Sequence, residues 1–360
     1  AAGTANALTA LNGTGNAYPL DVSDDTTVDA ADLLALNGKT TVAVNLQLIT
    51  AAGTVLNGTY AELKALFTAA AEGDYSGLAA DLPITIDDNV SVSQANEIHA
   101  LTSAAVTAAI STGDMATLNG LEGTGNVYAI TVTDSSGDMG ELNALNAKTT
   151  GVLTVDDVNT LTGTSAELAT LLNGQTLTTN ATGFTGFNAG EAIVLSDAIT
   201  RATAETAMAA TTAGVTATIS DTLANFVLLS ETALHAFTYQ VSETTVDAAN
   251  ILLADARSTV AIDLSKVTSV TGDFAEIQVM YAANAAGTVS GLGNEAISAD
   301  DTTIDVTSAN ILNGFTSGVV TATVAAGTAN ALTALNGTGN AYTLDVSDGA
   351  TVDAADLLAL

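Results

Sequence analysis

The sequence predicts an α/β solenoid, in which tandem strand–helix coils stack with a parallel sheet on one face. Short runs rich in Val, Ile and Thr alternate with helical patterns along the whole chain. Residues 325–360 also repeat the sequence of residues 1–36 with few changes. Such internal repetition is typical of a tandem array. The two copies differ only at Pro19/Thr343, Asp25/Gly349 and Thr26/Ala350.

A shorter period divides this array. VTAAI at 106–110 matches VTATI at 215–219 and VTATV at 320–324. Steps of this size predict about three super-repeats of ~108 residues in each long period. We therefore expect residues 1–360 to form one continuous array. Its super-repeats lie at approximately 1–104, 105–213, 214–318 and 319–360, and the last is partial and restarts residues 1–36.

The strands are predicted from short runs with high β-propensity, most of them four to six residues long. They are residues 18–22, 41–46, 84–86, 129–132, 152–155, 214–219, 260–264, 303–306, 319–324 and 342–346. Because they are joined through helical patterns, they favour parallel pairing.

Helix starts are predicted from two patterns. Three capping boxes stand at equivalent positions of the super-repeats: Thr59 with Glu62, Thr164 with Glu167, and Asp273 with Glu276. The second pattern is Val followed by an N-cap residue and then x-Ala-(Asp/Asn). It predicts N-caps at Asp29, Ser93, Asp247, Thr307 and Asp353.

Many helices are predicted to end at Leu-Asn-Gly, as at residues 36–38 and 172–174, because Gly tolerates the left-handed conformation. Asn-Gly also favours type I′ hairpin turns, which is the alternative. A string of Ig-like β-sandwiches would suit a period of ~108 residues. A β-solenoid is a further alternative fold, but capping boxes and helical leucine spacing favour the α/β array.

Composition excludes several classes of function. The chain has 39 acidic residues against 6 Lys+Arg, a formal charge of −33. This charge repels phosphate backbones, so nucleic acid is not expected as a partner. The sequence has no apolar run of about 18 residues, so membrane insertion is not expected either. Cys is absent, which removes thiolate chemistry.

No catalytic residues are predicted, and the chain is not expected to be an enzyme. Its two histidines, His99 and His235, do not recur in the other super-repeats, and we interpret both as structural. A solenoid polysaccharide lyase or hydrolase would need a non-repeating charged cluster in a groove, and the sequence shows no such cluster.

Calcium is the one cofactor that the sequence allows, because oxygen-rich turns on an acidic surface suit this ion. The candidate ligands are Asp24, Asp25, Asp87, Asp88, Asp134, Asp138, Asp300, Asp301 and Asp348. The alternative, which we favour, is that these residues make turns and helix caps.

Three cations recur at equivalent positions, Lys39, Lys148 and Arg257. They could form a column that grips a partner. Placement just past a helix C-terminus, where a cation is favourable, is the interpretation we prefer.

Residues 269–314, together with TVDAADLLALNGKTT at 27–41, resemble the giant repetitive cell-surface proteins of cyanobacteria, of the swimming-associated type. The similarity in short sequence motifs and in composition covers nearly the whole chain. It implies an extracellular or cell-surface location and a structural, adhesive or motility-related role.

The function expected from these observations is structural: a tandem-repeat segment of a secreted fibre, filament or cell-surface rod. The expected partner is the protein itself, through end-to-end or lateral assembly. The alternative is an adhesin or binding module with calcium-dependent rigidity.

Overall fold

The structure is a computed structural model that describes residues 1–50, 53–177, 183–229, 235–256 and 260–360. The chain divides into two compact units, Ala1–Glu191 and Ala192–Leu360. The single continuous array and its super-repeat boundaries stay predictions.

The helices of the described residues are α1 (Ala5–Leu8), α2 (Ala30–Asn37), α3 (Tyr60–Glu72), α4 (Val92–His99), α5 (Met115–Leu118), α6 (Met139–Asn146), α7 (Ser165–Leu172), α8 (Arg201–Ala210), α9 (Leu223–Phe226), α10 (Ala248–Asp255), α11 (Phe274–Ala286), α12 (Val306–Phe315), α13 (Ala329–Leu332) and α14 (Ala354–Ala359).

The strands are short and, where their pairing is described, parallel, so an α/β class with parallel sheets is confirmed. They are β1 (Ala2–Gly3), β2 (Asp21–Val22), β3 (Thr27–Asp29), β4 (Val44–Asn45), β5 (Val55–Gly58), β6 (Tyr75–Ser76), β7 (Ile84–Val90), β8 (Val106–Ile110), β9 (Val127–Thr131), β10 (Ser136–Asp138), β11 (Leu153–Thr154), β12 (Thr160–Gly163), β13 (Phe184–Thr185), β14 (Ala192–Ile199), β15 (Val215–Asp221), β16 (Ala236–Val241), β17 (Thr245–Asp247), β18 (Ile262–Asp263), β19 (Ser269–Gly272), β20 (Val289–Ser290), β21 (Ala296–Ala299), β22 (Val320–Thr323) and β23 (Ala341–Thr343). Ig-like sandwiches are antiparallel, so that alternative is wrong for the described residues.

The first unit stacks its strands in two main parallel sheets. One has the order β1-β2-β4-β6, and the other has the order β3-β5-β7-β8-β9-β11-β13. Strands β10 and β12 pair separately within this unit. We call one or two strands with the helix that follows them a repeat. Paired strands come from successive repeats. Val28, for example, pairs with Leu56, and Leu56 pairs with Ile84.

The second unit is built in the same way. Strands β14, β15, β16, β18 and β20 follow one another in one parallel sheet, and β17, β19, β21, β22 and β23 form another. Here Thr216 pairs with Ala236, and Val270 pairs with Ile297.

The sheets bury one face and expose the other. In β8, the side chains of Val106, Ala108 and Ile110 are buried, and those of Thr107 and Ala109 are exposed. This alternation differs from the parallel sheets of doubly wound proteins, which are covered on both faces and read as continuous apolar runs. The Thr-rich strands thus carry an apolar face toward the core and a polar face toward solvent.

The helices pack through one apolar stripe. Buried residues recur every three positions, which places them on one side of a short helix. The stripes of three eight-residue helices are Ala30/Leu33/Leu36 in α2, Met139/Leu142/Leu145 in α6 and Ala248/Ile251/Ala254 in α10.

Nine of the ten predicted strand positions contain a strand. The prediction for residues 303–306 is wrong, because Ile304 makes only an isolated bridge to Val324 and α12 begins at Val306. Two predicted N-caps are also wrong. Ser91 caps α4 in place of Ser93, and Asp305 caps α12 in place of Thr307. In both cases a better-placed acceptor two residues earlier meets the third amide of the helix.

The Leu-Asn-Gly segments do not share one conformation. Asn173 and Gly174 are left-handed at the end of α7, with φ of 45° and 76°. Gly38, by contrast, ends α2 in the right-handed conformation, with φ of −69°. The left-handed prediction is therefore wrong at Gly38, where the chain turns without a positive φ. Hairpin turns are also excluded at residues 36–38, because these residues lie at the end of α2 and the strands on either side, β3 and β4, belong to different sheets.

Among the described residues, no helix combines the length and apolarity needed to cross a membrane.

Candidate functional site

The candidate site is a set of side-chain hydrogen bonds at the helix N-termini and between successive repeats. Each described helix begins after a Thr, Ser or Asp N-cap residue. Except at α11, the N-cap side chain accepts a hydrogen bond from an amide of the first turn, which helices otherwise leave unsatisfied. Thr59 with Glu62 and Thr164 with Glu167 form complete capping boxes. At α11, the amide of Asp273 donates to Glu276 at 3.2 Å.

A second acceptor reaches seven of the described helices from the following repeat. We call these acceptors the bridging carboxylates, because each accepts a hydrogen bond from the first amide of the preceding helix. The pairs are Ala5 with Asp24 (2.7 Å), Tyr60 with Asp88 (2.8 Å), Met115 with Asp134 (2.7 Å), Arg201 with Asp221 (2.9 Å), Leu223 with Glu243 (2.9 Å), Phe274 with Asp301 (2.6 Å) and Ala329 with Asp348 (2.6 Å). Charge-assisted bonds of this kind are about twice as strong as neutral ones, and the helix dipole adds to them.

Strand register explains which carboxylate meets which helix. Gly113 forms a parallel bridge with Val132. Two residues after each of them, the amide of Met115 donates to the carboxylate of Asp134. Leu56 pairs with Ile84 in the same way, and four residues further Tyr60 meets Asp88. The acid is thus delivered by its own strand to the N-terminus of the neighbouring helix.

The predicted calcium ligands are therefore spread along the chain. Five of them are bridging carboxylates: Asp24, Asp88, Asp134, Asp301 and Asp348. Asp138 is the N-cap of α6 and accepts from the amide of Glu141 at 2.9 Å. Asp25, Asp87 and Asp300 are exposed. Within the described ranges, no three Asp, Glu or His side chains converge as a metal site would require.

Some of these helix-bound acids have shifted pKa values. Desolvation alone would raise the pKa of Asp221, but hydrogen bonds from Asn225 and from the amides of Arg201 and Thr222 lower it overall. The backbone amide of Thr117 lowers the pKa of Asp114, and that of Ser308 lowers the pKa of Asp305. The anionic form of each carboxyl is the form that binds the helix.

We expect acid to destabilise these contacts. A carboxyl whose pKa is lower in the folded than in the unfolded chain stabilises the fold above its unfolded pKa, and this contribution is lost as the pH falls toward the folded pKa. The protection of the α8 amides in hydrogen exchange should therefore fall as the pH drops below about 4. The experiment needs high salt, because protonation also relieves the repulsion of a −33 chain.

Asp221→Asn is the matched variant for this experiment. Its amide cannot titrate, so α8 should be less protected at neutral pH and should depend less on pH. An unchanged pH dependence in the variant would show that Asp221 does not carry the effect.

Buried threonines form a second link between repeats. Each lies near the end of the loop after a helix, donates its hydroxyl to a carbonyl of the preceding repeat, and accepts the amide two residues ahead. The donor–carbonyl pairs are Thr40 with Tyr18 (2.8 Å), Thr102 with Leu82 (2.7 Å), Thr149 with Tyr128 (2.9 Å) and Thr316 with Glu295 (2.6 Å). At Thr149 the accepted amide is that of Gly151, at 2.9 Å. A Cβ on Gly151 would lie 2.3 Å from the carbonyl oxygen of Tyr128, so this close approach requires glycine.

Thr149→Val should lower the free energy of unfolding by about 1–3 kcal/mol, because the shape is kept while three backbone groups, the amide and carbonyl of Tyr128 and the amide of Gly151, lose this partner. Urea unfolding followed by hydrogen exchange at Tyr128 and Gly151 measures it. Thr107→Val is the control, because Thr107 is exposed on β8 and its replacement should be nearly neutral. Equal effects of the two substitutions would contradict the role of the buried hydroxyl.

A third link joins the first amide of a strand to a side chain of the next repeat. Val106 donates to Asn126 at 2.9 Å, and Val320 donates to Asn340 at 3.0 Å. His235 has the same role, since its Nδ1 accepts from the amide of Val215 at 3.2 Å. His99 lies beside this link in the first unit, with its Nδ1 3.5 Å from Asn126 Nδ2. Both histidines thus occupy positions between repeats.

Two of the three recurring cations, Lys148 and Lys39, lie near helix ends. The ammonium of Lys148 donates to the carbonyls of Asn119 and Leu121, just past the end of α5 in the preceding repeat. Lys39 is half-buried and lies two residues past α2. Arg257 lies outside the described residues. At Lys148 the cation therefore satisfies the C-terminal end of a helix whose N-terminus a carboxylate satisfies.

One exposed charge cluster does not belong to these links. Lys64 on α3 contacts Glu97 on α4 at 2.8 Å, and Tyr60 donates to the same carboxylate at 2.5 Å. The hydrogen bond from Lys64 lowers the pKa of Glu97, and the one to Glu97 raises the pKa of Lys64. Both charged side chains are about half exposed, so solvent screens the pair strongly.

Sequence reasoning missed the bridging carboxylates and the threonine links. The signal that could have found the carboxylates is a matched spacing. The acid follows its strand by as many residues as the first residue of the neighbouring helix follows the paired strand, as in Asp134 after Val132 and Met115 after Gly113.

Comparisons of the chain with protein-family models, with curated proteins and with solved structures found no match.

Proposed function

We propose that this chain is a structural segment of a tandem-repeat fibre or cell-surface rod, with its repeats stacked as an α/β solenoid. The observation that supports it most directly is the direction of the bridging carboxylates. In each described pair, the acid comes from the later repeat and the helix amide from the earlier one. The contact therefore runs in one direction along the chain, as expected of repeats that stack in sequence.

The burial pattern supports the same proposal. A repeat that exposes one strand face to solvent and buries its other surfaces against its neighbours gains stability mainly from stacking. Bridging carboxylates, buried threonines and side chains at strand starts all bond one repeat to the next. The large negative charge would keep such rods soluble and apart from one another. Secretion and display on a cell surface belong to this proposal and rest on the resemblance in sequence.

Negative-stain electron microscopy of the purified chain tests the proposal. Thin rods or filaments with an axial repeat are expected, and sedimentation should give a frictional ratio well above that of a globular protein. Isolated compact particles at every concentration would contradict it.

The same sample tests the calcium-dependent alternative. We expect millimolar Ca²⁺ and chelator to give equal Tm values, because the bridging carboxylates already bind helix amides. A specific site at a hundredfold its Kd would add about 2.7 kcal/mol, which a melting curve resolves. Mg²⁺ at the same concentration is the control, since any divalent ion screens the −33 charge. A Tm rise with Ca²⁺ alone would favour the binding-module function.

A further inference from the structure

One of the links between repeats uses a histidine where the equivalent links use an asparagine. In each of these links the first amide of a strand donates to a side chain of the next repeat. The pairs are Val106 with Asn126 Oδ1 (2.9 Å), Val215 with His235 Nδ1 (3.2 Å) and Val320 with Asn340 Oδ1 (3.0 Å). The sequence separation of donor and acceptor is 20 residues in all three. The bond therefore recurs, but its acceptor changes from an amide oxygen to an imidazole nitrogen.

This change matters because only the imidazole titrates near neutral pH. A neutral imidazole accepts at one ring nitrogen and donates at the other, whereas the imidazolium ion has two donors and no acceptor. The accepting atom of His235 is Nδ1, so the bond requires the tautomer that carries its proton on Nε2. Protonation of Nδ1 would replace the acceptor with an N–H group that faces the N–H group of Val215.

The amide of Val215 has no water to turn to when this acceptor is lost. Val215 is fully buried and begins β15. The imidazole is stacked on the fully buried ring of Phe237, with the ring centroids 5.5 Å apart and the planes at 21°. A buried backbone donor without an acceptor destabilises the fold, so protonation of His235 disfavours the closed arrangement of this link.

The charged residues around this link lie mainly further along the strands. The described ones on the neighbouring elements are Asp197 in β14, Asp221 at the far end of β15, Asp263 in β18, Glu243 after β16, Arg201 and Glu205 on α8, and Glu191 directly before β14. Glu231 and Arg257 lie outside the described residues. Val215 pairs with Ile193, and Thr216 pairs with Ala236. The strand residues level with the link are therefore uncharged.

The second histidine does not carry a link of this kind. His99 Nδ1 lies 3.5 Å from Nδ2 of Asn126, whereas the amide of Val106 donates to Oδ1 of the same asparagine. Protonation of His99 therefore leaves the acceptor of Val106 in place. The chain thus contains one link with a titratable acceptor and an equivalent link whose acceptor does not titrate.

We propose that His235 makes the junction between β15 and β16 an acid-sensitive joint, in which the bond from Val215 forms at neutral pH and is released when the imidazole is protonated. The ordinary pKa of histidine is about 6.5, well above the range in which carboxyl groups titrate. Only the neutral ring can accept the amide, so the bond stabilises the fold above this pH and its contribution is lost as the pH falls below it. Release loosens one junction whether or not the chain assembles, so the joint does not depend on the proposed structural function.

Native-state hydrogen exchange of the full chain, detected by NMR at constant high salt, tests the joint between about pH 7.5 and about pH 5.5. The protection factor of the Val215 amide should fall at least about tenfold over this range, because the buried donor loses its acceptor. The protection factor of the Val106 amide should change by less than about twofold, because its acceptor is an asparagine. The midpoint of the change at Val215 should coincide with the titration of the His235 imidazole, followed by NMR in the same sample.

His235→Asn is the matched variant, because asparagine is the acceptor of the two equivalent links. It should keep the Val215 amide protected at neutral pH and remove the fall in acid. Asn126→His is the reciprocal variant and should make the protection of the Val106 amide depend on pH. His99→Asn is the control, since it removes the other imidazole and should leave the pH dependence at Val215 unchanged.

The proposal is overturned if the protection of Val215 in the wild-type chain does not change with pH, and this measurement requires no variant to fold. A fall that persists in His235→Asn, or that is equally large at Val106, would also overturn it, because either result assigns the effect to another group. The presence or absence of filaments in micrographs bears on the structural function alone, so failure of one proposal can be told from failure of the other.

Discussion

Leu33→Ala should lower the free energy of unfolding by about 2–5 kcal/mol, whereas Leu357→Ala should change it by no more than about 0.5 kcal/mol. The two leucines lie in the same ten-residue sequence, so helix propensity and the unfolded chain contribute equally to both substitutions. Leu33 is fully buried and Leu357 is 45% exposed. The difference between the variants therefore measures what burial of this leucine contributes.

Native-state hydrogen exchange is the measurement of choice, because repeat arrays can unfold in parts and one melting curve can then hide a local effect. Protection of the α2 and α3 amides should fall together in Leu33→Ala, since the two helices pack against each other. Equal losses in the two variants would show that residues 351–360 are covered in solution.

Asp134→Ala should lower the free energy of unfolding by about 1–3 kcal/mol through loss of the contact with the first amide of α5. Asp134 is half-buried, and its Oδ2 accepts from the amide of Met115 at 2.7 Å. Because α5 has four residues, it cannot satisfy its own first amides. The substitution should loosen α5 together with the strand that carries residue 134.

Asp87→Ala is the control for charge, because Asp87 is exposed and removal of one acid from a −33 chain acts mainly through repulsion. It should be neutral or slightly stabilising. Asp134→Asn keeps an acceptor without the charge and should lie between the wild type and the alanine variant. If the alanine and asparagine variants are both as stable as the wild type, the hydrogen bond contributes nothing measurable.

Local sequence was sufficient for much of the secondary structure. The capping boxes at Thr59 and Thr164 could be recognised because both partners lie within four residues of each other. Strand positions followed from Val/Ile/Thr runs, as at β8 and β15, because propensity and burial agree there. The predictions at Ser93 and Thr307 were wrong because the helices had a competing cap two residues earlier, in Ser91 and Asp305.

The hydrogen-bond partners of the polar residues could not be predicted from local sequence. Asp24 looks like a turn residue, yet it accepts from Ala5 in the preceding repeat. The hydroxyl of Thr149 could bond anywhere, and the partner it has is the carbonyl of Tyr128. These contacts depend on strand register, which sequence periodicity gives only to within several residues, because the repeats differ in length.

The sequence by itself determined that short strands alternate with capped helices along this chain, since propensity and capping are properties of neighbouring residues. Tertiary structure alone decided which surfaces are buried. TVDAADLLAL forms a covered strand and helix at residues 27–36, but residues 351–360 form an exposed helix and no strand. The physical reason is that a repeat in a stacked protein buries its apolar stripe against its neighbour, so identical residues have different environments where the neighbour differs.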